Sequence, residues 1–131
     1  MKATCIIEMA KDGGFSCYAK EKFDGFALLG YGDSVAETKE DCMEGYQSIK
    51  EIRAEKGLGT PDIEFEWQYD LASFFNYFKF LNVSEVARLA GINESQLRRY
   101  KSGSVKAGQQ TYDKLYACIQ RIGNELVAAR L

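Results

Sequence analysis

The apolar residues of this 131-residue chain switch repeat three times, the last time at Asp70, and keep a helical repeat from there onward. Alternate residues are apolar from Lys2 to Met9 and from Phe15 to Lys20, the repeat turns helical at Val35, and alternation returns from Ile63 to Tyr69. A strand sends successive side chains to opposite faces, whereas a helix gathers residues three or four apart, so neither pattern can bury its apolar set in the other conformation. The chain is therefore expected to be α+β: a sheet with a helix laid on it over residues 1–69, then an all-helical part over residues 70–131.

In the first part, Ala3, Cys5, Ile7 and Met9 share one strand face, Lys2, Thr4 and Glu8 the other, and only Ile6 breaks the alternation. Lys11-Asp12-Gly13-Gly14 tolerates positive φ and predicts a hairpin into the Phe15–Lys20 strand. Asp24-Gly25 marks a second turn, ahead of a third strand expected over Phe26–Tyr31. Ser34 and Glu37 have capping-box spacing, so a helix starts there, with Val35, Cys42, Tyr46, Ile49 and Ile52 on its apolar stripe. Gly57, Gly59 and Pro61 end it, and Ile63, Phe65, Trp67 and Tyr69 define the inner face of a fourth strand, completing a β-β-β-α-β order.

Asp70 is suited to cap a helix running from Leu71 to Leu81 through Phe74, Phe75 and Phe78. Asn82 and Glu85 form another capping box, and Val83–Ala90 follows with Val86, Ala87, Leu89 and Ala90 turned inward. From Val83 to Ser102 the spacing is that of a helix-turn-helix: Ala87 is small where two helices cross, Gly91 tolerates the left-handed turn, and Asn93 can cap the second helix. That recognition helix is expected over Glu94–Tyr100, with Asn93, Glu94, Ser95 and Gln96 near base edges and Arg98, Arg99, Lys101 and Lys106 near phosphates. Gln109, Gln110 and Thr111 open a last helix whose amide end suits phosphate, and Tyr112, Leu115, Tyr116, Ile119, Ile122 and Leu126 form its stripe. Gly123 marks a break in it, and Leu126 to Leu131 offers a dimer contact or end-of-chain packing.

Composition narrows the chemistry. There is no histidine, which removes Ser-His and Cys-His nucleophile pairs, histidine metal sites and pH switches. Cys5, Cys17, Cys42 and Cys118 have no CxxC spacing and suit buried thiols in a reducing cytoplasm. Asp12, Asp24 and Asp33 belong to turns and a helix start, so neither a metal site nor a cofactor is expected, and the chain is expected not to be an enzyme. No apolar run approaches the about 18 residues of a membrane span or resembles a signal peptide. Residues 1–69 carry 8 basic and 14 acidic residues, a net −6, whereas residues 70–131 carry 9 and 5, a net +4, which points to two different partners.

Taken together, Lys11-Asp-Gly-Gly-Phe15 between two strands, an apolar third strand leading to Gly30-Tyr-Gly-Asp-Ser34, the Glu-rich helix and the helix-turn-helix resemble the HicB family of antitoxins, in the type with a C-terminal domain of phage-repressor style. The resemblance implies a degenerate RNase H-like N-terminal domain without nuclease activity. It also implies a small basic RNA-cleaving toxin of HicA type as partner, operator DNA as ligand, and a homodimer or higher homo-oligomer. Glu64, Phe65, Glu66 and Trp67, together with the acidic helix, are the candidate partner-binding residues of the acidic half. The Glu21–Asp24 loop lacks the proline-rich segment common in the family, so an unpaired regulator, or a protein-interaction module without a toxin, stands as the alternative.

Overall fold

In the computed structural model, which describes residues 1–131, the alternating segments form four strands: β1 (Lys2–Met9), β2 (Phe15–Ala19), β3 (Leu29–Gly32) and β4 (Glu64–Tyr69). The helical repeats form α1 (Val35–Glu55), α2 (Leu71–Tyr77), α3 (Val83–Ala90), α4 (Glu94–Ser102) and α5 (Gln109–Ala128). The fold is mixed α+β. The chain divides into two compact units, Met1–Ser73 and Phe74–Leu131, with the division inside α2.

The first unit is a four-stranded sheet in the order β3-β2-β1-β4. β2 runs antiparallel to both β1 and β3, while β4 is parallel to β1, so α1 carries the chain from one sheet edge to the other. Gly13 supplies the positive φ of the β1–β2 hairpin, and the Gly14 N–H donates to Asp12 Oδ1 at 2.9 Å. The inward residues Ala3, Cys5, Ile7, Phe15 and Cys17, with Leu28, meet Cys42 and Tyr46 of α1 to form the core. Fully burying an Ile or Leu, as at Ile7 and Leu28, contributes about 1.5–3 kcal/mol each.

The helix approaches β3 without room for side chains between them. A Cβ on Gly30 would stand 2.5 Å from the Thr38 carbonyl oxygen, and one on Gly32 2.8 Å from Glu37 Cβ. Ser34 caps α1, its Oγ accepting from the Glu37 N–H at 3.1 Å. The return half of the capping box differs from expectation, since the Glu37 carboxylate accepts from Asp33 N–H rather than from Ser34.

Two expectations for this unit are corrected. The third strand begins at Leu29 rather than Phe26, because Gly25 at φ 83° folds Phe23 and Phe26 back into a ring stack at 5.0 Å, with the Arg53 guanidinium 5.2 Å from the Phe26 ring centre. Ile52 is 53% exposed, whereas Thr38 is fully buried on α1, its hydroxyl donating to the Ser34 carbonyl at 2.8 Å. Thr38 is polar, so the apolar pattern does not mark it as a core position. A local hydrogen bond is what lets it take a core position.

In the second unit, Phe75, Val83, Val86, Ala87, Leu97, Tyr100, Leu115 and Cys118 are buried. Asp70 does cap α2, accepting from the Ser73 N–H at 3.2 Å, but the helix stops at Tyr77 instead of Leu81. Beyond it the Leu81 N–H donates to the Phe78 carbonyl at 3.2 Å, a tighter turn that leaves Phe80 78% exposed. Leu89 is partly exposed rather than inward, and Tyr116 and Leu126 of the expected α5 stripe lie on the outside.

Candidate nucleic-acid interface

The α3–α4 pair owes its geometry to three residues. Gly91 closes α3 in the left-handed region at φ 69°, ψ 36°, which a Cβ would strain. The Ile92 N–H reaches back to the Ala87 carbonyl at 2.9 Å, so the chain turns at once. Asn93 then caps α4, its side-chain oxygen accepting from the Gln96 N–H at 3.1 Å. Ala87 is buried with Val86 on α3, and Leu97 and Tyr100 on α4, which fixes the rotation of α4 about its own axis. Ser95, Arg99 and Ser102 therefore face solvent, with Arg98 along one side.

The candidate residues fall into two groups. Ser95, Arg98 and Arg99 are exposed on α4 and lie close together on its surface. Arg98 is partly engaged, donating to Ser84 Oγ at 2.9 Å and approaching Glu94 at 3.5 Å. Ser84 thus links the first turn of α3 to α4. A hydrogen bond from Ser84 holds the Glu94 carboxyl below the usual carboxylate range, with the nearby Arg98 charge acting in the same sense.

The others are less available. Asn93 is engaged as the cap, and the half-buried Gln96 donates to the Tyr100 hydroxyl at 3.0 Å. Lys101 and Thr111 are half-buried, and Gln109 donates to Asp113 at 2.9 Å. Lys106 is exposed in the loop before α5, whose N-cap Gly108 offers no side-chain cap. Both hydrogen-bonded pairs, Gln96 with Tyr100 and Gln109 with Asp113, are four residues apart on one helix, where side chains are neighbours, so the spacing itself carried the signal for them.

Of the candidate partner-binding residues, Phe65 and Trp67 lie on the inner side of β4. Their rings stack at 5.5 Å, Phe65 meets Tyr46 edge-on at 5.6 Å, and Lys39 Nζ stands 5.6 Å from the Trp67 ring centre. Their aromatic area is therefore engaged beneath α1. Glu64 and Glu66 are exposed on the opposite face, where Glu66 pairs with Lys2 at 2.9 Å.

That opposite face has a pattern of its own. Ile6 is cross-strand from Tyr18, and Tyr18 from Leu29, so three apolar residues on adjacent strands form a continuous row. Tyr31, 65% exposed, extends it, and Glu8, Glu64 and Glu66 share the face. Ile6, the residue that broke the alternation, gains its meaning from this row.

All four cysteines are free and buried, and no group of histidine, cysteine or acidic residues is arranged to hold a metal ion. No helix is long and apolar enough to cross a membrane. No family model, curated protein or solved structure matches this chain.

Proposed function

We propose that this chain is a DNA-binding transcriptional regulator resembling a HicB-type antitoxin, acting in the cytoplasm without catalysis or cofactor. The reading rests on the α3–α4 pair: a left-handed Gly91, a capped α4 start and an exposed Ser95, Arg98 and Arg99 surface suit insertion of a short helix into a major groove. The net +4 of residues 70–131 favours a polyanion. The first unit takes the antitoxin part as a degenerate RNase H-like domain, a reading supported by the β3-β2-β1-β4 order with β4 parallel to β1.

A basic toxin of HicA type would be held on the open sheet face. An apolar row of Ile6, Tyr18 and Leu29 beside Glu8, Glu64 and Glu66 resembles the apolar centre and polar rim of a protein interface. The same acids disfavour RNA stacking on these tyrosines, because they would repel its phosphates. Without a toxin, this face would make the chain a protein-interaction module, which is the second reading.

Fluorescence anisotropy of the full chain with DNA from upstream of its gene tests the first reading. Binding should weaken steeply with salt, and the Arg98→Ala, Arg99→Ala double variant should lose at least about tenfold in affinity and flatten the salt slope by about two. Salt-independent binding, or a double variant equal to the parent, would refute it.

A further inference from the structure

We infer that Glu94 is the residue by which this chain tells one DNA sequence from another: on docking, its carboxylate leaves Ser84 and Arg98 for the amino group of a cytosine, and the two groups it leaves pass to a phosphate. The inference rests on the DNA-binding reading above and names what that surface selects.

Most of the start of α4 is already committed. The Asn93 side-chain oxygen caps the helix and the Gln96 amide donates to the Tyr100 hydroxyl, so both side chains are held along α4. Two exposed residues remain near the base edges, Glu94 and Ser95. A hydroxyl donates or accepts and so discriminates little among bases, whereas a carboxylate only accepts. In the major groove guanine presents acceptors, thymine an acceptor and a methyl group, and adenine an amino group with the N7 acceptor beside it. Cytosine presents the amino donor alone, and it is the base a carboxylate suits.

Before any base is met, a triangle of side chains holds that carboxylate. The Ser84 hydroxyl donates to Glu94 and accepts from the Arg98 guanidinium at 2.9 Å, while Arg98 Nη2 stands 3.5 Å from Glu94 Oε1. Ser84 lies in the first turn of α3, and Glu94 and Arg98 are one turn apart on α4, so the triangle ties the two helices together. Glu85, next to Ser84, is committed to Arg88 at 2.7 Å and takes no part. A hydroxyl and a guanidinium converging on an anionic oxygen are the donors that also hold a DNA phosphate, and α3 is the helix that crosses the backbone in this motif. Glu94 thus occupies, in the free chain, a place suited to phosphate. At 3.5 Å between side chains about half exposed, the ion pair is weak, and its release costs little.

Specificity follows from the exchange. Once displaced, the carboxylate stands between phosphates, and their repulsion weakens every complex in which it finds no donor. A cytosine at that position offsets the repulsion, and the other bases leave it in force. Glu94 therefore acts chiefly by excluding wrong sequences. Arg99, exposed on the same helix, adds attraction to all sequences alike.

Selection by the full chain from a pool of duplexes with a randomised central segment, followed by fluorescence anisotropy, tests this. The parent should enrich a motif with one position restricted to cytosine, and replacing that base should cost it about tenfold or more in affinity. Glu94→Gln should lose the restriction at that position alone and bind the unselected pool at least about threefold tighter, a gain that an unfolded variant could not produce. Without DNA, Ser84→Ala should raise the Glu94 pKa toward the ordinary carboxylate value, followed by the carbon-13 shift of its carboxyl group, and Ser84→Thr should restore the low value. A motif without a cytosine requirement, a Glu94→Gln variant with the parent's preference, or a Glu94 pKa indifferent to Ser84 overturns the inference and leaves DNA binding standing. A parent that binds no duplex in the pool refutes both.

Discussion

Gly30 and Gly59 are the same residue type in opposite circumstances. At Gly30 an added methyl group would meet the Thr38 carbonyl oxygen at 2.5 Å, Cys42 Cβ at 2.8 Å and Cys17 Sγ at 2.9 Å; at Gly59 it would meet nothing within 4 Å. Since the first of these contacts is backbone, α1 must move away from β3 to make room, and the overpacking cost is about 1–3 kcal/mol. Gly30→Ala should therefore unfold at clearly lower urea than the parent, while Gly59→Ala should stay within about 0.5 kcal/mol of it. Trp67, the single tryptophan, lies in the same unit as both and provides the fluorescence signal. An unchanged midpoint for Gly30→Ala would mean that α1 does not lie on β3 as described.

Among the elements, α4 is short, nine residues, and depends on how it begins and where it is buried. Its first turn is secured by the Asn93 cap, and its rotation by Leu97 and Tyr100, so the cap sets where Ser95 and Arg99 emerge. Asn93→Ala should cost about 1 kcal/mol, read as a lower thermal midpoint by far-ultraviolet circular dichroism, while Asn93→Asp should keep most of the stability because a carboxylate caps as well as an amide. Equal losses for both variants would show that Asn93 acts other than as a cap. The capping positions at Ser34, Asp70, Asn82 and Asn93 were legible in the sequence because a cap is a local arrangement of a few residues. The late start of β3 was not, since the reach of Arg53 to the Phe26 ring joins residues that the local pattern treats separately.

For the whole molecule, the cysteines distinguish the two units. Cys5, Cys17 and Cys42 belong to Met1–Ser73 and Cys118 to Phe74–Leu131, and all four are buried. A hydrogen bond to Cys42, followed by burial, pushes the Cys5 and Cys17 thiols up, so that they are protonated and inert at neutral pH. Because all four are buried, a thiol reagent should react with each only as its unit opens. In moderate denaturant, Cys5, Cys17 and Cys42 should be alkylated together and Cys118 at a rate of its own, as read peptide by peptide in a mass spectrometer. A single shared rate would mean that the units open as one.

The sequence by itself determined the α+β class, the order of elements, the helix starts and the side of each strand that turns inward. These follow from local periodicity and short-range hydrogen bonds, which act between residues a few positions apart. Only the tertiary structure decided that Phe65 and Trp67 lie beneath α1, that Gln96 is engaged by Tyr100, and that Ile6, Tyr18 and Leu29 meet as a row. Apart from the Gln96–Tyr100 pair, whose spacing of four on one helix is local, each of these depends on strand register or on the distance between elements, and such contacts have no fixed spacing along the chain from which they could be read.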